Sequence, residues 1–265
     1  MLGLHKKWRS TFMEHWPDEV IALGLPMEQL MLSEQDRLAI GARTAAFREI
    51  FEIDEIPSFS DGFYAAVDEK TRVFPFGGHA RLGGCSFKKP GHFQKSPIFN
   101  SRDLAPHILQ ENARVAGLLA SSLQDNFEVG LFIRPWHPIP QWTEFRLFMK
   151  NRAFIGASQY FHMTVFPEIE ANAGPIATAL IDFTKSFLSV SHVDDGIVDV
   201  FVEKIDDTDW RAVLIDINPM IWRADACLFR WQNGGDFDGG LRFRGSSGRI
   251  LSMAPLPFAG TSTHF

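Results

Sequence analysis

Residues 198–219 read VDVFVEKIDDTDWRAVLIDINP, two apolar runs joined by a short polar loop. Polar and apolar residues alternate along parts of both runs, which predicts two antiparallel strands joined as a hairpin. If the loop is a symmetric four-residue connection, Asp199 lies directly opposite Asp216. Because side chains alternate along a strand, Leu214, Asp216 and Asn218 then project from one face, and Asn218 joins the acidic pair.

Two opposed carboxylates about 5 Å apart repel by on the order of 3 kcal/mol at an effective dielectric of about 20, so the pair needs a compensating cation. Mg²⁺ prefers oxygen ligands, takes one or two carboxylates from a protein, and completes its shell with phosphates and water. Asp199, Asp216 and Asn218 are therefore a candidate Mg²⁺ site. Strand register alone leaves an alternative open, in which these acids lie at a solvated end of the sheet.

A second hairpin is predicted by residues 144–161, EFRLFMKNRAFIGASQYF, with its turn at Asn151 and Arg152. The alternation leaves three ionisable side chains on one face: Glu144, Arg146 and Lys150. Arg146 or Lys150 could donate charge-assisted hydrogen bonds to phosphate oxygens, with Glu144 orienting the cation. A solvated face of salt bridges explains the same pattern.

The segment RLGGCSFKK, residues 81–89, combines cationic side chains with glycines that permit a close approach of backbone to a ligand. It matches neither the P-loop nor the dinucleotide-binding motif, and an exposed basic turn is the alternative. Apolar spacing elsewhere predicts helices around 27–47, with Ser33 as a cap, and over 103–126 and 176–190. The segment VGLFIR predicts a buried strand, and the Gly-rich chain beyond Trp231 a mobile tail.

Composition limits the class of protein. A net charge of -6 and a pI near 5.8 disfavour a dedicated nucleic-acid binder, since phosphate affinity depends on clustered Lys and Arg. Cys85 and Cys227 lack paired spacing and the histidines lack metal-binding motifs, so we expect reduced thiols and structural or surface histidines. No run of the roughly 18 apolar residues needed to cross a bilayer occurs. These features predict a soluble, cytoplasmic protein without a membrane role.

Several motifs together resemble the cell division cycle protein 123 family. They are RLGGCSFKK at 81–89, FIRPW at 132–136, EFRLF at 144–148, DVF at 199–201, LIDINP at 214–219 and ADACLFRW at 224–231. The resemblance implies an α+β, ATP-grasp-like fold: two lobes with largely antiparallel sheets, flanking helices and a nucleotide cleft between the lobes. The implied division is an N-terminal lobe, 1–128, with the nucleotide loop 77–91, and a C-terminal lobe, 129–265, with the metal site and a Gly-rich tail.

The resemblance also implies individual roles. Arg81, Ser86 and Lys88 would belong to the loop over the nucleotide, although Arg81 stands where eukaryotic members usually carry Lys. Arg134 and Trp136 would lie near the hinge that receives adenine. Together with the residue patterns, this gives a predicted ATP-binding set of Arg81, Gly84, Ser86, Lys88, Arg134, Trp136, Glu144, Arg146, Lys150 and Asp199, and a predicted Mg²⁺ set of Asp199, Asp216 and Asn218.

Three functions are compatible with such a site. The resemblance implies an ATP-dependent assembly factor that engages the gamma subunit of translation initiation factor 2. An ATP-grasp ligase that activates a carboxylate as an acylphosphate is the second, with the metal and cations stabilising the transferred phosphoryl group. A binding module in which ATP only stabilises the fold is the third.

Overall fold

The computed structural model describes residues 8–87, 96–206 and 209–253. Its strands are β1 Glu28–Met31, β2 Gly78–Leu82, β3 Cys85–Ser86, β4 Gly130–Pro135, β5 Glu144–Lys150, β6 Ala153–Gln159, β7 Gly196–Lys204, β8 Trp210–Asn218, β9 Leu241–Arg244 and β10 Ile250–Met253. Its α-helices are α1 Asp18–Ile21, α2 Glu34–Gly41, α3 Ala45–Ile50, α4 Phe63–Arg72, α5 Ser101–Ile108, α6 Ala113–Gln124, α7 Pro167–Ala171 and α8 Ala173–Val190. Within these ranges, no helix has the length and apolar character that spanning a bilayer requires.

The chain divides into two compact units. The first comprises Met1–His15 and Pro26–His137, and the second comprises Trp16–Leu25 and Pro138–Phe265. The segment that contains α1 joins the second unit because the backbone of Leu23 accepts a hydrogen bond from Leu214 N of β8, at 2.8 Å. The division into functional lobes at residues 128 and 129 stays a prediction.

The first unit contains a four-stranded antiparallel sheet in the order β1-β4-β2-β3. VGLFIR supplies β4, which is buried as predicted. Helix α2 begins at Ser33 as predicted: the Ser33 hydroxyl accepts a hydrogen bond from Asp36 N, and the Asp36 carboxylate accepts one from Ser33 N. This reciprocal capping satisfies two backbone donors of the first turn.

Two helix predictions were wrong in extent. Residues 28–31 form β1, because they pair with β4 and so satisfy their backbone groups in the sheet. The helix predicted over 103–126 is two helices, α5 and α6, separated at Asn112. The Asn112 side chain accepts hydrogen bonds from Arg114 N and Val115 N, at 3.1 and 3.3 Å, and thereby starts a new helix.

The second unit contains a six-stranded sheet in the order β10-β9-β6-β5-β7-β8. The pairs are antiparallel except for β6 and β9, which run parallel. The hairpin β5–β6 turns at Asn151 and Arg152 as predicted, with φ of 51° and 58°, the left-handed conformation that a two-residue hairpin turn requires. The expectation of a mobile tail beyond Trp231 was wrong for residues 241–253, since β9 and β10 complete the sheet.

Candidate functional site

Asp199 of β7 pairs with Asp216 of β8, as the sequence predicted, although the route to that pairing differs. Near the loop the register is offset from the predicted one, with Lys204 opposite Trp210. A bulge between the Val200–Leu214 and Asp199–Asp216 pairs restores the predicted register. The symmetric four-residue loop was therefore a wrong assumption that led to the correct pair.

The bulge also separates Leu214 from the acidic side chains. Val200 and Asp199 are adjacent and point to opposite faces, so their partners Leu214 and Asp216 do so as well. The prediction that Leu214 shares a face with Asp216 was wrong. Leu214 is fully buried, whereas Asp216 and Asn218 are half-buried and lie on the face of Asp199.

Arg146 of β5 lies opposite Asp199 on its other side and binds it with both arms of the guanidinium. Nε donates to Asp199 Oδ1 at 2.7 Å, and Nη2 donates to Oδ2 at 2.8 Å. The Asn218 amide donates to Asp199 Oδ2 at 3.0 Å. We refer to Arg146, Asp199, Asp216 and Asn218 as the carboxylate cluster. Its central carboxylate is held in one orientation by three hydrogen bonds.

The cation expected beside the acidic pair is present in the chain itself. Arg146 and Asp199 are both 7% exposed, so their attraction is screened little by water. Burial disfavours the charged guanidinium, but the Asp199 carboxylate outweighs burial and raises the pKa of Arg146. Arg146 also donates from Nη1 to the carbonyl of Asp225 at 2.9 Å and lies 4.9 Å from the centre of the Tyr160 ring.

Two neighbouring groups are strongly affected by burial. Burial raises the pKa of the Tyr160 hydroxyl and of the Cys227 thiol, each to about 12. The charge of Asp199 adds to the shift in both groups, while Arg146 opposes it. In the absence of a bound metal ion, both side chains are therefore neutral at physiological pH.

The other two residues predicted from β5 lie at different distances from the cluster. Glu144 pairs with Phe201 and is half-buried, two residues from Arg146 on the same face. Lys150 is exposed at the hairpin end, four residues beyond Arg146 and about 13 Å away along the strand. The fold thus brings Glu144 near the carboxylate cluster but not Lys150.

The donor set of the carboxylate cluster fits Mg²⁺. Asp199, Asp216 and Asn218 offer oxygen atoms and neither sulfur nor imidazole, which matches the preference of this ion. Asp216 Oδ1 accepts a hydrogen bond from Ile217 N at 3.0 Å, which fixes that carboxylate as well. With Arg146 paired to Asp199, the two acids and the arginine carry one formal net negative charge, which favours a cation at this position.

The predicted nucleotide loop belongs to the first unit. Arg81 lies on β2 opposite Ser86 of β3, and its Nε donates to the Leu82 carbonyl at 3.2 Å. Gly84 lies in the tight turn between these strands. Lys88 and the rest of the loop to residue 91 lie outside the described residues. The nucleotide role of the loop stays a prediction.

Arg134 and Trp136 also belong to the first unit. Arg134 lies on β4 opposite His79 and is buried. Trp136 follows the strand, is half-buried, and donates its backbone N–H to the Gly77 carbonyl at 2.8 Å. Gly77 has a φ of 82°, which glycine adopts without strain. Their predicted place at the adenine hinge is untested.

Glu14 is a residue of this region that the sequence did not single out. Its carboxylate accepts a hydrogen bond from Gly130 N at 2.7 Å and lies directly against the α-carbon of Gly83. Burial raises the pKa of Glu14, while the Gly130 hydrogen bond and the charge of Arg81 oppose the shift. Only contact between segments far apart in sequence creates this environment, so no local motif could have indicated it.

Comparisons with known proteins give a consistent result. A model of the family described as D123 matches residues 96–235, slightly more than half of the chain. A Schizosaccharomyces pombe protein named translation initiation factor eIF2 assembly protein is 31% identical over 110 residues, 42% of this chain and 32% of that protein. A Danio rerio protein of the same name is 26% identical over 136 residues, 51% of this chain and 37% of that protein. The matched region thus spans about a third of these relatives.

The fold has a solved counterpart. The structure of Cdc123 from Schizosaccharomyces pombe superposes with a TM-score of 0.66 at 18% identity, covering 84% of this chain and 88% of that chain. The predicted α+β class with largely antiparallel sheets is confirmed. The fold is that of Cdc123, the family from which the ATP-grasp-like prediction came.

Proposed function

Because the chain belongs to the D123 family, as its motifs predicted, we propose that it binds ATP with Mg²⁺ and acts as an assembly factor on a protein partner. The observation that carries the nucleotide part is the carboxylate cluster. Arg146 and Asn218 hold the Asp199 carboxylate beside Asp216, with oxygen donors from three side chains on one face of the sheet.

In this proposal Asp199, Asp216 and Asn218 hold the Mg²⁺ that accompanies the triphosphate. Asp216 and Asn218 are half-buried, so an incoming ion can reach them, whereas Asp199 is buried and paired with Arg146. When bound, the ion supplies positive charge that neutralises the acids and the phosphate oxygens. Arg146 then has a positioning role, because it fixes the orientation of Asp199. A direct contact of Arg146 with phosphate, which the sequence pattern predicts, is also part of this proposal.

Calorimetry of Mg·ATP binding tests the nucleotide part. We expect Asp216→Ala to weaken Mg·ATP binding by at least about tenfold, because a carboxylate ligand of the ion is lost. Glu203→Gln is the matched control: Glu203 lies on the same hairpin but pairs with Arg211 at 2.6 Å, well away from the cluster. An unchanged affinity in Asp216→Ala, with both variants folded, would overturn the proposed metal site.

The assembly role is supported by the names of the relatives and by family membership. The proposed partner is translation initiation factor 2, and specifically its gamma subunit, which the family resemblance implies. Such a partner implies a cytoplasmic location. Since the matched region spans about a third of the curated relatives, the activity of the whole relatives is proposed for this chain rather than transferred to it.

A pull-down with the purified gamma subunit, with and without Mg·ATP, tests the partner. We expect retention of the gamma subunit that increases with Mg·ATP in the wild type and loses that increase in Asp216→Ala. No retention under either condition would overturn the assembly role. The calorimetric result stands separately, so failure of the partner proposal is distinguishable from failure of the metal site.

A further inference from the structure

Three side chains with metal-binding chemistry meet beside the carboxylate cluster. His162 lies in the turn after β6, whereas Asp225 and Cys227 lie in the loop after β8. One ligand atom from each residue can be chosen so that the three atoms lie within 4.8 Å of one another. His162 Nδ1 and Asp225 Oδ2 are 3.9 Å apart. We refer to these residues as the His–Asp–Cys group.

The loop of His162 is fixed by buried polar contacts. The side-chain amide of Gln159, which is 1% exposed, donates to the carbonyls of Phe161 and Thr164, both at 2.8 Å. Arg244 of β9 donates from Nε to the His162 carbonyl at 3.0 Å. These hydrogen bonds hold the backbone of His162 from two sides, so binding an ion through the imidazole requires little further ordering of this loop.

The loop of Asp225 and Cys227 is fixed as well. Trp231 Nε1 donates to the Ala224 carbonyl at 2.7 Å, and Leu228 N donates to the Ser158 hydroxyl at 3.2 Å. Arg146 donates to the Asp225 carbonyl at 2.9 Å. These contacts anchor both ends of the segment against the sheet that carries the carboxylate cluster.

The Asp225 carboxylate has one oxygen in a hydrogen bond and the other directed towards His162. Cys227 N donates to Asp225 Oδ1 at 2.8 Å, and Oδ2 lies toward His162. Metal-binding carboxylates are commonly oriented in this way by hydrogen bonds from neighbouring groups. Cys227 has a φ of 54°, a conformation uncommon for residues other than glycine, and it brings the thiol beside the Tyr160 carbonyl at 3.8 Å.

We propose that His162, Asp225 and Cys227 form a binding site for a thiophilic divalent metal ion such as Zn²⁺, separate from the Mg²⁺ site proposed above. A thiolate, an imidazole and a carboxylate are the ligands that Zn²⁺ uses in proteins, and three protein ligands leave a fourth position for water or a substrate. Mg²⁺ prefers oxygen alone, so the two sets of residues select different ions.

The geometry needs only a small adjustment. Ligand atoms of a tetrahedral zinc ion lie roughly 3.5 Å apart, given metal–ligand distances of about 2.0 to 2.3 Å. The largest of these separations must therefore contract by up to about 1.3 Å. A small rotation of the exposed Asp225 side chain supplies part of this movement. The positive charge of Arg146 opposes a cation here, but its pairing with Asp199 offsets that charge.

Cobalt titration of the purified chain tests the site. Co²⁺ occupies zinc sites and gives a charge-transfer absorption in the near ultraviolet when a thiolate binds it. Cys85 and Cys227 are the two cysteines of the chain. We expect the Cys85→Ala variant to keep a thiolate–Co²⁺ band that saturates at one ion per chain and is removed by Zn²⁺. No such band in Cys85→Ala would overturn the proposal, because Cys227 is then the sole thiol.

Further variants separate the ligands from the surroundings. We expect the band to disappear in Cys227→Ala and the Co²⁺ affinity to fall at least about tenfold in His162→Gln and Asp225→Asn. Circular dichroism verifies that each variant is folded. Asp216→Asn and excess Mg²⁺ should leave the band unchanged. A band that persists in Cys227→Ala, or that is lost with Asp216→Asn, would contradict a separate site.

Discussion

Replacement of Arg146 by methionine is the most direct test of how the carboxylate cluster is held together. The substitution keeps much of the side-chain length but removes the guanidinium. It deletes the two hydrogen bonds to Asp199, at 2.7 and 2.8 Å, and the bond to the Asp225 carbonyl, at 2.9 Å. Asp199 then keeps the Asn218 amide but loses the cation that faces it.

The expected cost follows from the burial of the pair. The charged side chains of Arg146 and Asp199 are 8% and 10% exposed, so the remaining carboxylate cannot recover its hydration. Removing one partner of such a pair costs about 3 to 5 kcal/mol of unfolding free energy. The pair of Arg211 and Glu203 lies farther along the β7–β8 hairpin, and the Arg211 side chain is 64% exposed. Arg211→Met should therefore cost only about 0 to 1 kcal/mol.

Urea unfolding followed by circular dichroism, in buffer with a chelator, measures both variants. The double variant Arg146→Met/Asp199→Asn should be more stable than Arg146→Met alone, because no charge is left buried. Equal costs for Arg146→Met and Arg211→Met would refute the reasoning. So would a double variant that is less stable than Arg146→Met.

Two further predictions concern the first unit. Gly83→Ala should lower the unfolding free energy by about 1 to 3 kcal/mol, because its β-carbon would overlap the Glu14 carboxylate. Gly117 occupies an exposed position of α6 with open space around it, so Gly117→Ala should raise the unfolding free energy by about 0.5 to 1 kcal/mol. Urea midpoints that move in the same direction in the two variants would contradict this. Because the pKa of Glu14 is raised, the contribution of the protonated Glu14 to stability is complete below the ordinary pKa of 4.5 and is lost as pH rises through the raised pKa. Glu14→Gln should therefore flatten this part of the profile of unfolding free energy against pH. A profile unchanged by Glu14→Gln would contradict the prediction.

Local sequence patterns predicted several features that the structure confirms. The turn at Asn151 and Arg152, the cap at Ser33 and the facing of Asp199 and Asp216 were each predicted from neighbouring residues. The role of Arg146 was predicted only in part. Its side of the strand was correct, but its bidentate pairing with Asp199 depends on β5 lying next to β7, and strand order is not a local property.

The sequence did not predict Glu14 or the His–Asp–Cys group, because both depend on contacts between distant segments. Glu14 meets Gly130, and His162 meets Cys227, through contacts between loops far apart in the chain. The spacing of Asp225 and Cys227 was visible, but nothing in the sequence placed a histidine beside them. The His–Asp–Cys group arises because the loop after β8 folds back to β6, where Leu228 N donates to the Ser158 hydroxyl. Patterns within a single segment carry no signal for such a contact.

The bulge in β8 connects the fold to the site. Ile215 is the extra residue, since Leu214 pairs with Val200 and Asp216 with Asp199. Without it, the alternation that buries Leu214 would bury Asp216 on the same face, away from Arg146. With it, the Leu214 side chain is buried on one face of the sheet, while Asp216 and Asn218 lie with Asp199 on the other. The irregularity that a symmetric hairpin model omits is therefore what lets one strand serve both the core and the proposed metal site.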